Sequence, residues 1–292
     1  MPERTLVSVD LDGIGCYHAI HGLPPPAEHA RGVVLQRCLP RFLALFEALQ
    51  LRATFFVIGS DLEHDAAGAA VLQRALAAGH ELGNHSHAHA YDLVRWRADA
   101  QHRDLARCDA LLRELGAQPQ GFRAPGYVHD AQLLRAAASL GYRYDSSALP
   151  SPSYWLTKLA VVALHAAAGR RSQSLVRGLG SFLGPREDHL RADVALRELP
   201  ISAMGPLRLP LVGTFLLAGP AWSRAMVRTA ELREPRAHLE LHGLDLADER
   251  DDGIDPALVR LQPELRTPLA RRTERLASFL RARGPCMRLC DA

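Results

Sequence analysis

The stretch ELGNHSHAHAYDL, Glu81 to Leu93, begins as a short apolar run and ends among His85, His87 and His89. Its first half, ELGNHS, reads as a strand that terminates on the histidines. Three imidazoles so close together form either a polar loop that happens to be rich in His or part of a metal site. Neutral imidazoles four residues apart can meet one ion on a helical turn, and His is the commonest metal ligand. His85 and His87 would pair instead if the strand continued, so spacing alone leaves the ligand pair open.

The surroundings of this strand point to the fold class. TLVSVDLD (5–12) and ATFFVIG (53–59) read as buried strands, the second rich in aromatic and branched residues. Apolar residues at helical spacing fill 34–51, with Pro40 as an irregularity, and 69–80, where Gly79 stops the helix. A polar helix is expected over about 93–116, a strand end at GFRAPGY (121–127), a helix over 130–142 and a strand at YRYDSSA (142–148). After a break, AHLELHGLDL (237–246), a helix at about 266–283 and CMRLC (286–290) resume the pattern. Strands alternating with helices predict a parallel sheet, closed or wound, in an α/β fold. The residues with chemical potential fall where strands end: Asp10, Asp12, His85, His89, Arg123 and Asp145. On the C-terminal rim of a parallel barrel, residues this far apart in sequence converge.

Composition narrows the function classes. A chain of 292 residues with 48% hydrophobic and 23% charged residues builds a sizeable core. A net charge of +3, with no long basic run and no platform of basic and aromatic residues, argues against nucleic acid. No GxGxxG follows a strand, which argues against a dinucleotide cofactor. Cys16, Cys38, Cys108, Cys286 and Cys290 are odd in number and lack a CxxC pair, so reduced thiols in a cytoplasmic protein are expected. The N-terminus shows no signal-peptide pattern, and no apolar run reaches spanning length. With no internal repeat or low-complexity linker, residues 1–292 are expected to form one domain.

Asp10 and Asp12, in SVDLDG, are two apart on the expected strand, so their side chains leave the same face. They are either a solvated pair in a strand-end turn or a buried pair that needs a cation or a shared proton. An Asp with two His makes an open site with positions left for water and substrate, suited to zinc and also to ferrous or cobalt ions.

Taken together, VDLDG, GNHSHAH, GFRAPGY and LELHG occur in the order, and at about the separations, of the motifs of the NodB-homology polysaccharide deacetylases, carbohydrate esterase family 4. The sequence resembles that family over about 5–148 and 195–290. The resemblance implies a distorted (β/α) barrel and a divalent metal, most simply Zn2+, with Fe2+, Co2+ or Ni2+ as other candidates, serving hydrolysis of an N-acyl group on a sugar. It implies Asp12, His85 and His89 as metal ligands, Asp10 as general base, Arg123 as the residue that orients Asp10, and His242 as general acid. It also suggests that Tyr127 lends a backbone N–H to the oxyanion. Many members have two adjacent aspartates, whereas Leu11 separates the pair here. That form resembles a branch that includes intracellular peptidoglycan-type deacetylases and the deformylase acting on undecaprenyl-phosphate-linked formamido-arabinose. His87 occupies a variable position of the motif and is expected to be exposed or behind a ligand.

Four more residues stand beside the motifs. His18 and His21, in CYHAIHGLPPP (16–26), either line the substrate cleft or sit in an ordinary turn; the cleft is the expectation. Asp145 either orients a site group or caps a helix and is counted with the substrate-binding set. Glu198 reads as a strand-edge charge.

Insertions at about 149–195 and 203–232 interrupt the barrel. Ser146–Arg186 and Leu199–Ala230 contain no acidic residue. They are either extra helices packed on the core or an interfacial surface. In the second case Tyr154, Trp155, Phe215 and Trp222 sit at headgroup level, and Lys158, Arg170 and Arg171 meet anionic lipid. The expected activity is therefore N-deacetylation of an amino sugar in a glycan or glycan precursor. The rivals are deacylation of a lipid-linked amino sugar at the inner membrane face and a non-catalytic sugar-binding module.

Overall fold

A computed structural model describes residues 4–167, 183–219, 221, 225 and 236–292. Its main sheet contains β1 (Arg4–Asp10), β2 (Thr54–Val57), β3 (Glu81–Asn84), β4 (Gly121–Phe122), β5 (Tyr144–Asp145), β6 (His189–Arg191), β7 (Leu196–Glu198), β10 (Arg236–His242) and β11 (Cys286–Met287). The order is β10-β1-β2-β3-β4-β5-β7-β6, with β11 also paired to β1. All pairings are parallel except β6 with β7. The sheet curls into a distorted, open (β/α) barrel, as expected. β8 (Ala203–Met204) and β9 (Leu209–Pro210) form a separate hairpin.

The principal helices are α1 (Ile14–His21), α2 (Leu39–Ala48), α3 (Ala66–Ala77), α4 (Ala98–Glu114), α5 (Ala131–Ser139), α6 (Pro152–Ala167) and α7 (Leu269–Arg283). Asp65 and Asp130 cap α3 and α5 by accepting from the N–H groups of Gly68 and Leu133. Gly79, at φ +83°, and Gly141, at φ +83°, turn the chain out of the same two helices. Pro40 lies in the first turn of α2. Just before it, Val34–Cys38 winds as a π-turn in which the Leu39 N–H reaches the Val34 carbonyl. A proline cannot donate in the helical ladder, and the extra residue of the π-turn takes up the change of register.

Register sets what the barrel can present. In β1, Leu6, Ser8 and Asp10 share a face, and opposite them in β10 stand His238, Glu240 and His242. These point inward: Leu6 packs with Phe56, Tyr144, Leu199 and Leu289 at the closed end of the barrel. The row Asn84, Phe122, Asp145, Glu198 lies in register across β3, β4, β5 and β7 and points outward. Phe122 belongs to the core between sheet and helices, and the Asn84 amide bonds Leu105 O on α4.

The insertions do structural work on the described residues. The edge beside β10 is covered by 202 and 211–212: Ser202 N–H donates to His238 O, Glu240 N–H donates to Leu211 O, and Val212 bridges Glu240. Trp155 of α6 is fully buried and donates its indole N–H to Leu149 O at 2.9 Å. Trp155 is thus a core residue and not an interfacial anchor. Tyr154 is half-buried, with its ring 5.6 Å from that of Tyr127. Arg170, Arg171 and Trp222 lie outside the described residues.

His80 reports on this core. It is buried, accepts from the Ala53 N–H at 3.1 Å, and packs against Phe46 and Phe55. Burial lowers its pKa to about 4. The unfolded chain therefore takes up a proton near pH 6.5 that the folded chain refuses until near pH 4, so stability falls as pH drops through that window, by about 3 kcal/mol. His80→Gln is expected to flatten this dependence in denaturant titrations at pH 7 and pH 5. An unchanged slope would show that other groups carry it.

Candidate active site

β1 ends at Asp10, and Asp12 sits in the turn beyond it, so the two carboxylates reach the rim from a strand end and a loop and not from one continuous strand. Both are buried. The histidine loop is held by its own side chains. Asn84 Oδ1 accepts from Ser86 N–H at 2.8 Å, and Ser86 Oγ accepts from His89 N–H at 2.9 Å. The Asp104 carboxylate accepts from the N–H groups of His87 and Ala88. These bonds sustain Ser86 and His89 at positive φ, 64° and 46°, a conformation non-glycine residues adopt only when the surroundings enforce it. The outcome is that His85 and His89 turn toward Asp12, while His87 turns away and meets Glu63 at 3.0 Å.

Asp12 Oδ1 lies 3.2 Å from both His85 Nε2 and His89 Nε2. Donors about 2.1 Å from a common ion stand roughly 3.0–3.4 Å apart, so the three fit one divalent cation. Asp12 Oδ1 and His89 Nε2 are both buried without a hydrogen bond of good geometry, as donors awaiting an ion would be. The far nitrogen of each ring is engaged: His85 Nδ1 with Arg123 O at 2.8 Å, and His89 Nδ1 with Cys16 Sγ at 3.4 Å. Such outer contacts fix the ring and its tautomer. Burial opposes charge on these groups, yet His89 and His85 hold the Asp12 carboxyl well below the usual carboxylate range, and Asp12 lifts His89 to about 10.

Arg123, fully buried on the segment after β4, donates Nη1–H to Asp10 Oδ1 at 2.5 Å. Its other donors meet Ser146 O and Ser146 Oγ, both at 2.8 Å, and its plane lies 4.3 Å from the Phe56 ring centroid. One oxygen of Asp10 is thereby committed, and Oδ2 faces the ligand set, 3.7 Å from His85 Nε2.

On the neighbouring strand His242 Nδ1 stands 3.0 Å from Glu240 Oε1, and its Nε2 is 3.5 Å from the Tyr127 hydroxyl. Burial works against a charged imidazole, but Glu240, then Asp12 and Asp10, raise His242 to about 10; burial lifts the Glu240 carboxyl. The pair keeps a proton between them. Arg272, fully buried, donates to the carbonyls of Leu244, Asp245 and Ala247 and fixes the turn that follows His242.

Three expectations need correction. The Tyr127 N–H donates to Ala124 O at 3.0 Å inside a tight turn, so it is not offered to an oxyanion; its hydroxyl reaches the site instead. His18 is buried, pins Pro24 O through Nδ1 at 2.5 Å, and does not line the cleft. His21 does line it, bonded to Gln262 Oε1 at 2.7 Å. Asp145 sits in the outward row, where it accepts from Ser147 Oγ, which itself accepts from Ala124 N–H. It braces the 124–127 turn from behind and touches no substrate space.

The cleft above these groups has a volume of about 530 Å³, within the range of small-ligand sites. Tyr17, Tyr91, Tyr127, Tyr154 and Phe215 wall it. The sequence reading missed Glu240, although it lies two residues before His242 on one strand face, the same spacing that drew attention to Asp10 and Asp12. Cys16, Tyr17, Tyr91 and Lys158 carried no motif signal.

Residues 31–144 match the polysaccharide deacetylase family model. A curated peptidoglycan deacetylase of Helicobacter pylori is 28% identical over 152 residues, which is 50% of each chain; the chain thus spans about half the length of that curated relative. A solved Mycobacterium smegmatis protein assigned to the polysaccharide deacetylases superposes with a TM-score of 0.60 at 17% identity, covering 97% of this chain and 85% of that one. A carbohydrate esterase family 4 pseudoenzyme from Bacillus anthracis superposes with a TM-score of 0.50 at 12% identity, covering 99% and 65%. The likeness to these structures is one of fold.

Elemental analysis of purified variants checks the ligand set. His89→Ala and Asp12→Ala are expected to lose the ion and His87→Ala to retain it; the reverse pattern would overturn the assignment. Cys16→Ala is expected to weaken metal affinity about tenfold, the effect usual for a lost outer-shell partner, and Cys16→Ser to keep most of it. Chelator competition reads both, and equal affinity in the two would remove Cys16 from the site.

Proposed function

We propose that the chain, whose residues 31–144 match the polysaccharide deacetylase family model, is a metal-dependent hydrolase that removes an N-acyl group, acetyl in the simplest case, from an amino sugar in a glycan or glycan precursor. The observation that carries this reading is the convergence of Asp12, His85 and His89 on one point, with Asp10 and His242 beside it in the same cleft. Asp12, His85 and His89 would hold the ion, with zinc the ion their chemistry suits best. When bound, a divalent ion supplies Lewis acidity, polarising the acyl carbonyl and acidifying water.

The remaining steps belong to side chains. Asp10, with Oδ1 held by Arg123, offers Oδ2 to take the proton of the attacking water. His242, carrying a proton secured by Glu240, donates from Nε2 to the departing amine nitrogen, and Tyr127 steadies that edge of the ring through its hydroxyl. The aromatic walls suit the apolar faces of a sugar ring.

A second reading takes a lipid-linked amino sugar as substrate, with the protein cytoplasmic and peripheral on an anionic membrane face. It is supported by the apolar part of the cleft wall, Ile20, Val162, Val212 and Leu261, and by Leu156 and Leu159 of α6, which are 61% and 50% exposed. Failure to sediment with anionic vesicles at low salt would count against it. A silent sugar-binding role is the rival outside catalysis, and the pseudoenzyme that shares the fold makes it worth testing.

Acetate release from N-acetylglucosamine oligomers, measured on the zinc-loaded protein, tests the main reading. Asp10→Asn is expected to retain metal and to lose about 10²–10⁴-fold in rate, the usual contribution of a general base. Full activity in Asp10→Asn would remove Asp10 as the base. No release by the wild type from oligomers or from peptidoglycan would favour the silent role.

A further inference from the structure

The acid-poor insertion places one cation in the cleft. Lys158 of α6 lines the same cavity as Asp10, Asp12 and His85. Its Nζ donates to Gly126 O at 3.1 Å, one residue from Tyr127, and lies 5.0 Å from the Trp155 ring centroid and 6.0 Å from that of Tyr154. Gly126 in turn abuts Tyr91, and the Tyr91 ring stacks edge-on with His89 at 5.2 Å. Lys158 is thus linked to the ligand set through the Gly126 backbone and the Tyr91 ring, on the cleft wall.

Among the described residues no carboxylate pairs with it. An ammonium has three donors, and the Gly126 carbonyl engages one. The aromatic rings offset part of the cost of burying the charge but accept none of its hydrogen bonds. Burial alone pushes the lysine down to about 8, with no acidic neighbour to restore it. The acids of the cleft, Asp10, Asp12, Glu240 and Glu264, are engaged elsewhere: with Arg123, with the imidazoles, with His242, and with the Thr214 hydroxyl. A partly buried cation with donors to spare is favoured by a counter-charge, and in a binding cleft the ligand can supply it.

We propose that Lys158 reads an anionic group on the substrate, a phosphate or a carboxylate, so that the preferred substrate is an N-acylated amino sugar carrying such a group near the acyl group that faces Asp12, His85 and His89. The inference rests on the function proposed above for the identity of the sugar. The recognition itself is a matter of binding and does not require turnover. Lys158 is a specificity residue here and takes no part in proton transfer. This role also accounts for the side chain lying inside the cleft, and it removes Lys158 from the set that would meet lipid headgroups.

The test is calorimetric titration of the full-length, zinc-loaded protein with N-acetylglucosamine, N-acetylglucosamine 1-phosphate and N-acetylmuramic acid, alongside acetate release from each. At least one anionic sugar is expected to bind about tenfold or more tighter than the neutral one, the scale of one charge-assisted hydrogen bond. Preference for the phosphate or for the carboxylate identifies which anion is read. Lys158→Met is expected to erase the preference and Lys158→Arg to keep most of it. Equal binding of neutral and anionic sugars, no binding of any of the three, or a preference that survives in Lys158→Met would each overturn the proposal; the wild-type comparison stands even if a variant fails to fold. Anion preference without acetate release would sink the hydrolase reading and leave the role of Lys158 intact. Acetate release without anion preference would do the opposite.

Discussion

Three carboxylates, Asp10, Asp12 and Glu240, are buried within one rim of a single curled sheet, and their charge has to be balanced there. An isolated buried carboxylate is too costly to keep, so each acid dictates its surroundings. Asp10 is answered by Arg123, a fixed cation that cannot be deprotonated. Glu240 is answered by His242, and one proton lies between them. Asp12 has only His85 and His89. Imidazoles balance it when protonated, or serve as neutral ligands when a dication takes the place of those protons. A metal held there would compete with protons for the same three side chains, which would couple its affinity to pH.

The barrel supplies this arrangement through register. Parallel pairing of β1 with β10 sets Asp10 opposite His242 and Ser8 opposite Glu240. A slip of one residue would turn the His242 face outward. That slip is resisted below the site, where Leu6, Phe56, Tyr144 and Leu199 fill the closed end, and above it, where Arg272 clamps the turn after His242. Arg123 adds a cross-barrel tie, joining the segment after β4 to β1 and to Ser146 beyond β5.

Much of this is legible in the sequence itself. Strand–helix alternation predicted the parallel sheet, and strand ends carrying Asp, His and Arg predicted a rim, because a strand's period and a parallel sheet's polarity are local rules. Asp145 misled because the same rules say only that a residue stands at a strand end, and the face depends on register across four strands. Tyr127 misled because a backbone N–H can be spent inside a three-residue turn, a choice the side-chain sequence does not display. Glu240 was missed although its spacing to His242 was visible; the apolar run around it made a core strand the simpler reading. Lys158 and Tyr91 depend on how the insertion folds back over the rim, and no period in the sequence encodes that.

The insertion also separates two properties, its charge and its apolar surface. Its lack of acidic residues suggested a face for anionic lipid. In the described part of α6, however, Trp155 points into the core and Lys158 into the cleft, while Leu156 and Leu159 remain outside. The helix therefore offers its charge to whatever occupies the cleft and its leucines to the exterior. A segment without acids suits a cleft floored by carboxylates: an acid on α6 near Lys158 would cancel the charge that side chain brings to the wall. On the proposed role of Lys158, the lack of acids in the described part of α6 serves a ligand in the cleft, and the outward leucines are a separate feature of the helix.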